Sequence, residues 1–478
     1  MNVVEPIMAQ ARAAPEAPAV ITLEGTLSRA ELERAVSWIA ANLRREGIRA
    51  GALVGIAVPN QLQHLAAALA LARLGAGQMP FGPGDGPLER REAARRLGIT
   101  ATIGGSRSRI EPPPETLRGL KELKAEPIEP ERGGALPFIV LRTSGTTGAP
   151  KLSLITHAKE AQRQAYAEVL PYGPDTRLLS MSRVSFPWPF LHAFRCLAAG
   201  GCVVLYDGVK RGEEIELIHR SGANNLVGAP VHATDLLKAA RGPAPALPAV
   251  QVLILGAALV PEALRLEVRA RLTPNLYVTY GTSEVGTISV ATPALIERLP
   301  GTVGTLVRGV EIEIRDPEGR PLPPGERGVL RARASGMVDG YIGQPEETAH
   351  AFRDGWFHSS DLVERTPEGE LVHHGRADDM MIYDGINVFP SEIESVLLRH
   401  PAVAEAAAFA FPSPTRGEVP AAAVVLRSPA TERELVEHCR SWLGARAPVR
   451  VYVLKALLRN PAGKVLRREL AETVVGKR

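Results

Sequence analysis

Thr143-Ser144-Gly145-Thr146-Thr147-Gly148-Ala149-Pro150-Lys151 follows the apolar run Leu136-Pro137-Phe138-Ile139-Val140-Leu141. A strand that opens into this turn gathers four hydroxyls, several backbone N–H groups and the Lys151 ammonium on one concave surface. Such donors suit polyphosphate oxygens. The P-loop of nucleotide triphosphatases is a different pattern, because it needs Gly-Lys followed at once by Ser or Thr at a helix start. Here Ala149 and Pro150 separate Gly148 from Lys151, and Leu152 comes next. Pro150 disfavours helical geometry at Ala149, and Leu152-Ser153-Leu154-Ile155-Thr156 leans to strand, so the stretch predicts strand, loop, strand. A solvated Ser/Thr/Gly turn is the plain alternative.

Around this loop lies a chain of 478 residues, 45% apolar and 23% charged, an ordinary globular composition long enough for two or three domains. The net charge of +4 is too small to indicate nucleic-acid binding and fits an enzyme with an anionic substrate. Cys196, Cys202 and Cys439 have neither zinc-site spacing nor an even count for disulfides, so reduced, buried thiols are expected. Met1 to Val20 lacks the basic-then-apolar design of a signal peptide, and no apolar stretch is long enough for a spanning helix. A cytoplasmic protein is the expectation.

Thr26 to Arg45 reads as an amphipathic helix with Ser28 as N-cap. Ala52 to Val58 is strand-like, Gln61 to Leu74 is an alanine-rich helix, and Gly75-Ala76-Gly77 breaks it. This alternation predicts an α/β fold with a largely parallel sheet. Residues 105 to 135, rich in Pro, Glu and Arg, read as an exposed connection. Beyond the loop, His157 to Leu170 is helical, and Cys202 to Tyr206, Asn225 to Gly228 and Val250 to Leu255 are buried strands. Val310-Glu311-Ile312-Glu313-Ile314 alternates with period two, which predicts a smaller antiparallel β subdomain completing the large N-terminal part.

The loop resembles the phosphate-binding signature of the adenylate-forming superfamily, which contains acyl-CoA synthetases, peptide-synthetase adenylation domains and beetle luciferases. The resemblance implies joining a carboxylate to ATP, releasing pyrophosphate and passing the acyl group from AMP to a thiol. It assigns the phosphates to Thr143, Ser144, Gly145, Thr147, Gly148 and Lys151, with Thr146 catalytic. Further motifs arrive in the family's order. Tyr280-Gly281-Thr282-Ser283-Glu284 matches Tyr-Gly-x-Thr-Glu with Ser283 in the threonine place, and Glu284 is a hard oxygen ligand suited to Mg²⁺. Gly256 and Ala257, after a strand, stand where the family wraps adenine; simple strand-end packing is the alternative. Asp361 in Trp356-Phe357-His358-Ser359-Ser360-Asp361 matches the aspartate that takes the ribose hydroxyls. Ser360 replaces the family's glycine there, at a cost of about 1 kcal/mol if the position needs positive φ.

Gly375-Arg376-Ala377-Asp378-Asp379-Met380 through Ser391-Glu392-Ile393-Glu394 resembles the family's hinge, with Arg376 near ribose or phosphate and Asp378 as pivot. Read plainly, it is a charged turn followed by a helix begun at Ser391. Asn460-Pro461-Ala462-Gly463-Lys464-Val465-Leu466-Arg467 matches Pro-x-x-Gly-Lys-x-x-Arg, with Asn460 in the proline's place. Lys464 would be the catalytic lysine. The implied domains are residues 1–375, a hinge at 376–379 and a small mobile α+β domain at 380–478.

Ser182 to Leu197 is an aromatic run without the aspartate that peptide-synthetase domains use to pair an amino group, which points to a simple carboxylic acid. The segment is loosely similar to benzoate-type ligases and suggests an aryl or short to medium-chain acid. Phe186 or Trp188 takes the place of the family's gate, and His192 and Ala229 are further wall candidates. Phe190 and Phe194 as core residues on one helical face are the bland alternative. The acceptor is expected to be coenzyme A, with Arg446, Arg450, Lys455 and Arg459 as cationic candidates. A carrier-protein pantetheine is the alternative, and a nucleotide-binding protein without catalysis is the reading from another class. A second copy of the chain is a further partner; neither nucleic acid nor a membrane is.

Overall fold

The computed structural model describes residues 2–475 except 83–84, 105–109, 125–126, 144–150, 166–168, 171, 208–211, 384–385, 414–416 and 461–462. Near the N-terminus, Ser28 caps the helix Arg29–Arg45 through a reciprocal capping box with Glu31. Its apolar face packs on the helix Gln61–Arg73, every residue of which is buried. This explains why that helix lacks a polar face. Beneath it lies a five-stranded sheet. Leu53–Ile56, Gly77–Pro80, Ala101–Ile103 and Pro137–Thr143 run parallel in it, and Lys151–Thr156 returns antiparallel with Lys151 opposite Thr143. The strand-loop-strand expectation for the phosphate-type loop therefore holds on both flanks. Ser144, Gly145, Thr146, Thr147 and Gly148, and the side chain of Thr143, lie outside the described residues.

A second, 14-stranded sheet carries most of the remaining chain. At its centre Cys202–Val204, Arg177–Ser180, Asn225–Gly228, Val252–Leu255 and Leu276–Thr282 are parallel, as buried apolar runs joined by helices require. From Leu276–Thr282 onward pairing turns antiparallel, through Gly286–Ala291 and Thr302–Leu306 into Leu371–Arg376, Trp356–Arg365, Arg327–Ala334 and Val310–Arg315. The β subdomain is thus hydrogen-bonded edge to edge to the parallel strands. One continuous apolar core spans both sheets.

The C-terminal part has its own sheet, Val403–Ser413, Gly417–Leu426 and Arg450–Val453, with separate cores on its two faces. The architecture is α/β, a large part with extensive sheets and a smaller C-terminal sheet domain. Two local expectations need correction. The connection at 105–135 contains the helix Leu117–Glu122, whose Leu117 and Leu120 are buried. The helix expected from Ser391 spans Pro390–Leu397, because proline is pre-set for the first helical position, and the Ser391 hydroxyl instead donates to the His374 carbonyl at 2.5 Å. All three cysteines are free and buried. Among the described residues no helix is long and apolar enough to cross a membrane.

Candidate active site

The two parts face each other across one cleft of 1880 Å³. Lys151, Phe186, Trp188, Ala257, Tyr280, Gly281, Ser283, Glu284, Asp361, Arg376, Asp378 and Lys464 all line it. Three candidates sit behind its surface. A Cβ on Gly256 would stand 2.5 Å from Thr279 Oγ1 and 3.2 Å from the Trp188 ring, so only glycine lets that strand end pass beneath the indole. His192 stands edge-on to Trp188 at 5.0 Å. Ala229 is buried under the turn that carries Gly463.

Asp361, on the strand Trp356–Arg365, is only 6% exposed. The Tyr280 hydroxyl donates to its Oδ2 at 2.6 Å, and Arg376 Nη1 and His373 Nε2 stand 3.6 and 3.7 Å from its Oδ1. Burial alone would raise its pKa, but these facing donors hold the carboxyl below the ordinary range. Burial and the adjoining carboxylate push the Tyr280 phenol well up. Arg376 reaches Asp378 through Nε and Nη2, at 2.8 and 2.7 Å, and donates from Nη2 to Ser360 Oγ at 2.9 Å. Ser360 is extended rather than at positive φ, so its replacement of glycine costs no backbone strain and gains a hydrogen bond. Ala257, on the cleft wall, does hold a positive φ, 62°.

Glu284 is 7% exposed, and its Oε1 accepts from the Tyr341 hydroxyl at 2.8 Å. The Lys151 ammonium lies 4.7 Å above the same tyrosine ring. Arg163 braces the turn from behind, donating to the carbonyls of Ser283 and Glu284 at 3.0 and 2.9 Å and of Gly336 at 2.8 Å. A Cβ on Gly281 would come within 2.3 Å of the Gly286 carbonyl. Tyr341 and Arg163 went unread in the sequence because nothing local marks them; each acquires its role from contacts more than 50 residues away. Glu284, a buried carboxylate whose one side-chain hydrogen bond among the described residues comes from Tyr341, fits Mg²⁺, a hard cation held largely by phosphates and water.

Lys464 enters from the C-terminal side on a tight turn. Its N–H donates to Asn460 Oδ1 at 2.9 Å, and the Asn460 N–H donates to its carbonyl at 2.8 Å. Asn460, in the usual proline's place, thus ties the turn with its side chain. Gly463 has φ +84°, and a Cβ there would stand 2.7 Å from Val231 Cγ1 of the large part. Burial lowers the pKa of Lys464, and the Arg376 guanidinium adds to this. Across the cleft Lys238 pairs with Glu405 at 3.4 Å. Arg142, which precedes the loop, pairs with Asp85 at 2.5 Å and Glu89 at 2.8 Å, so its charge is matched. Of the cationic candidates for the acceptor, Arg446 is held by Glu392, Arg450 by Glu432 and Arg459 by Glu405.

Comparison with known proteins agrees with this geometry. Residues 7–342 match the AMP-binding enzyme family, and residues 392–464 match the AMP-binding enzyme C-terminal domain. The chain belongs to the AMP-binding enzyme family, the adenylate-forming superfamily that its motifs resemble. It is similar to a feruloyl-CoA synthase of Amycolatopsis, 29% identical over 490 residues with 96% of each chain covered. It is also similar to a probable non-canonical nonribosomal peptide synthetase of Salinispora arenicola, 31% identical over 97% of this chain but only 6% of that one. Among solved structures, the o-succinylbenzoate CoA synthetase of Bacillus subtilis in complex with its acyl-adenylate intermediate superposes with a TM-score of 0.84, at 26% identity and 97% coverage of both chains.

Proposed function

We propose that the protein is an ATP-dependent acid–thiol ligase. It joins a carboxylic acid, aryl or of short to medium chain, to the α-phosphate of ATP, releases pyrophosphate and transfers the acyl group to coenzyme A. The observation that carries this is the meeting of Lys464, from the C-terminal part, with Glu284, Asp361 and Arg376 on one cleft. Asp361 accepts from the ribose hydroxyls, and its depressed pKa keeps it an acceptor at neutral pH. Tyr280, Gly281, Ser283, Gly256 and Ala257 enclose the adenylate, and Arg376 faces ribose or phosphate. Thr143, Ser144, Gly145, Thr146, Thr147, Gly148 and Lys151 hold the phosphates, and Glu284 is the carboxylate for Mg²⁺, which when bound neutralises phosphate charge. Lys464 stabilises negative charge at the α-phosphate during attack by the acid. Residues 1–375 and 380–478 are the two domains and 376–379 the hinge, with Asp378 as pivot. Phe186, Trp188, His192 and Ala229 border the acid.

A second reading has a carrier-protein pantetheine as acceptor. It draws on the ion pairs that already engage Arg446, Arg450 and Arg459, and on the likeness to a peptide synthetase. The test is ATP–pyrophosphate exchange over a panel of aryl, short-chain, medium-chain and amino acids, followed by AMP release on adding coenzyme A or a loaded carrier. Exchange in the wild type and its loss in Lys464→Ala are expected. Exchange with no acid would favour a nucleotide-binding protein without catalysis, and AMP release only with the carrier would favour the second reading.

A further inference from the structure

Residues 336–342 lie between the strand Lys151–Thr156 and the turn that carries Glu284. The Val338 N–H donates to the Glu284 carbonyl at 2.9 Å, and the Ile342 N–H donates to the Leu152 carbonyl at 2.7 Å. Backbone bonds thus fasten the segment to both neighbours. Tyr341 is fixed within it, its N–H donating to Thr348 Oγ1 at 2.9 Å and its ring edge-on to Phe352 at 5.5 Å between centroids. Its side chain is 7% exposed.

From this place one phenol meets two unlike charges. Its hydroxyl donates to Glu284 Oε1 at 2.8 Å, and its ring stands 4.7 Å from the Lys151 ammonium. Lys151, Tyr341 and Glu284 all line the cleft, yet among the described residues Lys151 and Glu284 form no ion pair with each other. Opposite charges this close attract, and pairing would take from each the charge it has to offer a ligand. The phenol answers both without neutralising either. One O–H occupies one carboxylate oxygen and leaves Oε2 to accept a cation, while a ring face holds the ammonium and leaves its N–H donors for a stronger acceptor.

We propose that Tyr341 is a positioning residue that keeps Lys151 and Glu284 apart and separately available, the ammonium for nucleotide phosphate and the carboxylate for Mg²⁺. The inference rests on the nucleotide site of the ligase reading above.

The experiment is calorimetric titration of the full chain, without acid, by AMP, by ATP in a chelator and by ATP with Mg²⁺. The wild type should bind ATP more tightly when Mg²⁺ is present. Tyr341→Phe keeps the ring and loses the donor, so this gain from Mg²⁺ should shrink by about threefold or more, with AMP and metal-free ATP within about twofold of wild type. Tyr341→Leu lets Lys151 close on Glu284, so metal-free ATP should also weaken, by about fivefold or more, again without a change for AMP. Adding Glu284→Gln to Tyr341→Leu removes the competing charge and should return metal-free ATP binding toward wild type. Should Tyr341→Leu fail to fold, Tyr341→Phe still decides through the gain from Mg²⁺. An undiminished gain in Tyr341→Phe, AMP weakened as much as ATP, or metal-free binding that stays low in the double variant overturns the role and leaves the ligase intact. A wild type that binds ATP no better with Mg²⁺ overturns the metal role of Glu284 and this inference with it. Pyrophosphate exchange on the same protein reports on the ligase reading by itself.

Discussion

The Tyr280 hydroxyl donates to the Asp361 carboxylate at 2.6 Å, joining two motifs 81 residues apart in the chain. The bond orients the acid by which the ribose would be gripped. It also places Tyr280 between the parallel strands and the antiparallel extension, the seam along which the nucleotide would lie.

Tyr280→Phe removes this donor and leaves a buried carboxylate one hydrogen bond short. Hydrogen bonds to charged groups are worth about 1.5–3 kcal/mol, so AMP affinity should fall about tenfold or more. Asp361→Asn should cost at least as much. Calorimetric titration with AMP checks both; unchanged affinity in Tyr280→Phe would show that its bond does not orient Asp361 for the ribose, and unchanged affinity in Asp361→Asn would remove Asp361 from the ribose role.

Lys464 gives a prediction in pH. Burial and Arg376 lower its pKa, and an ammonium is charged only below its pKa. The adenylation rate should therefore fall on the alkaline side, beginning below the range of an ordinary lysine. Arg376→Gln removes a repelling cation and should move that limb to higher pH. A stopped-flow profile of acyl-adenylate formation reads the shift; a limb that stays in place would mean that Lys464 is not the group titrating.

How much of this was legible depended on how local each signal was. Pro150 and the residues after Lys151 sufficed to reject a P-loop, because strand and helix tendencies there act within a few residues. Ser28 announced a helix cap from its own residue type, and the structure completes it with Glu31 three residues on. The helix Leu117–Glu122 stayed hidden because six residues carry little periodicity and its stability comes from burying Leu117 and Leu120. Tyr341, the partner of both Glu284 and Lys151, had no sequence mark, since it meets them only through folding. Arg142, just before the loop, likewise has no local partner and meets Asp85 and Glu89 only through folding.

Gly463 is where the turn bearing Lys464 touches the large part. Alanine there would meet Val231 Cγ1 at 2.7 Å and would hold φ +84°, a conformation that costs about 1 kcal/mol for residues other than glycine. Gly463→Ala should slow adenylation about tenfold or more with little change in melting temperature, because Lys464 moves while both cores stay intact. Adding Val231→Ala should recover the steric part only. Full activity in the single variant would mean that this contact does not set the position of Lys464.

Buried histidines govern the acid side of stability. Burial lowers His64 and His157 from 6.5 to about 4, and His192 to about 3. Between those values and 6.5 the unfolded chain binds protons that the folded chain excludes. The stabilisation is thus complete above pH 6.5 and is lost as pH falls toward 4. One histidine moved from 6.5 to about 4 contributes about 3 kcal/mol over that window, with ordinary carboxylates still largely ionised through its upper half. Denaturant midpoints measured at pH 7.5, 6.5, 5.5 and 4.5 should be level across the first two and then drop. His64→Gln removes one titrating group and should make the drop shallower, even where it lowers stability at pH 7.5. A midpoint that stays flat down to pH 5 would show that these rings take up protons without unfolding, and that their surroundings are more open to water than the packing around them allows.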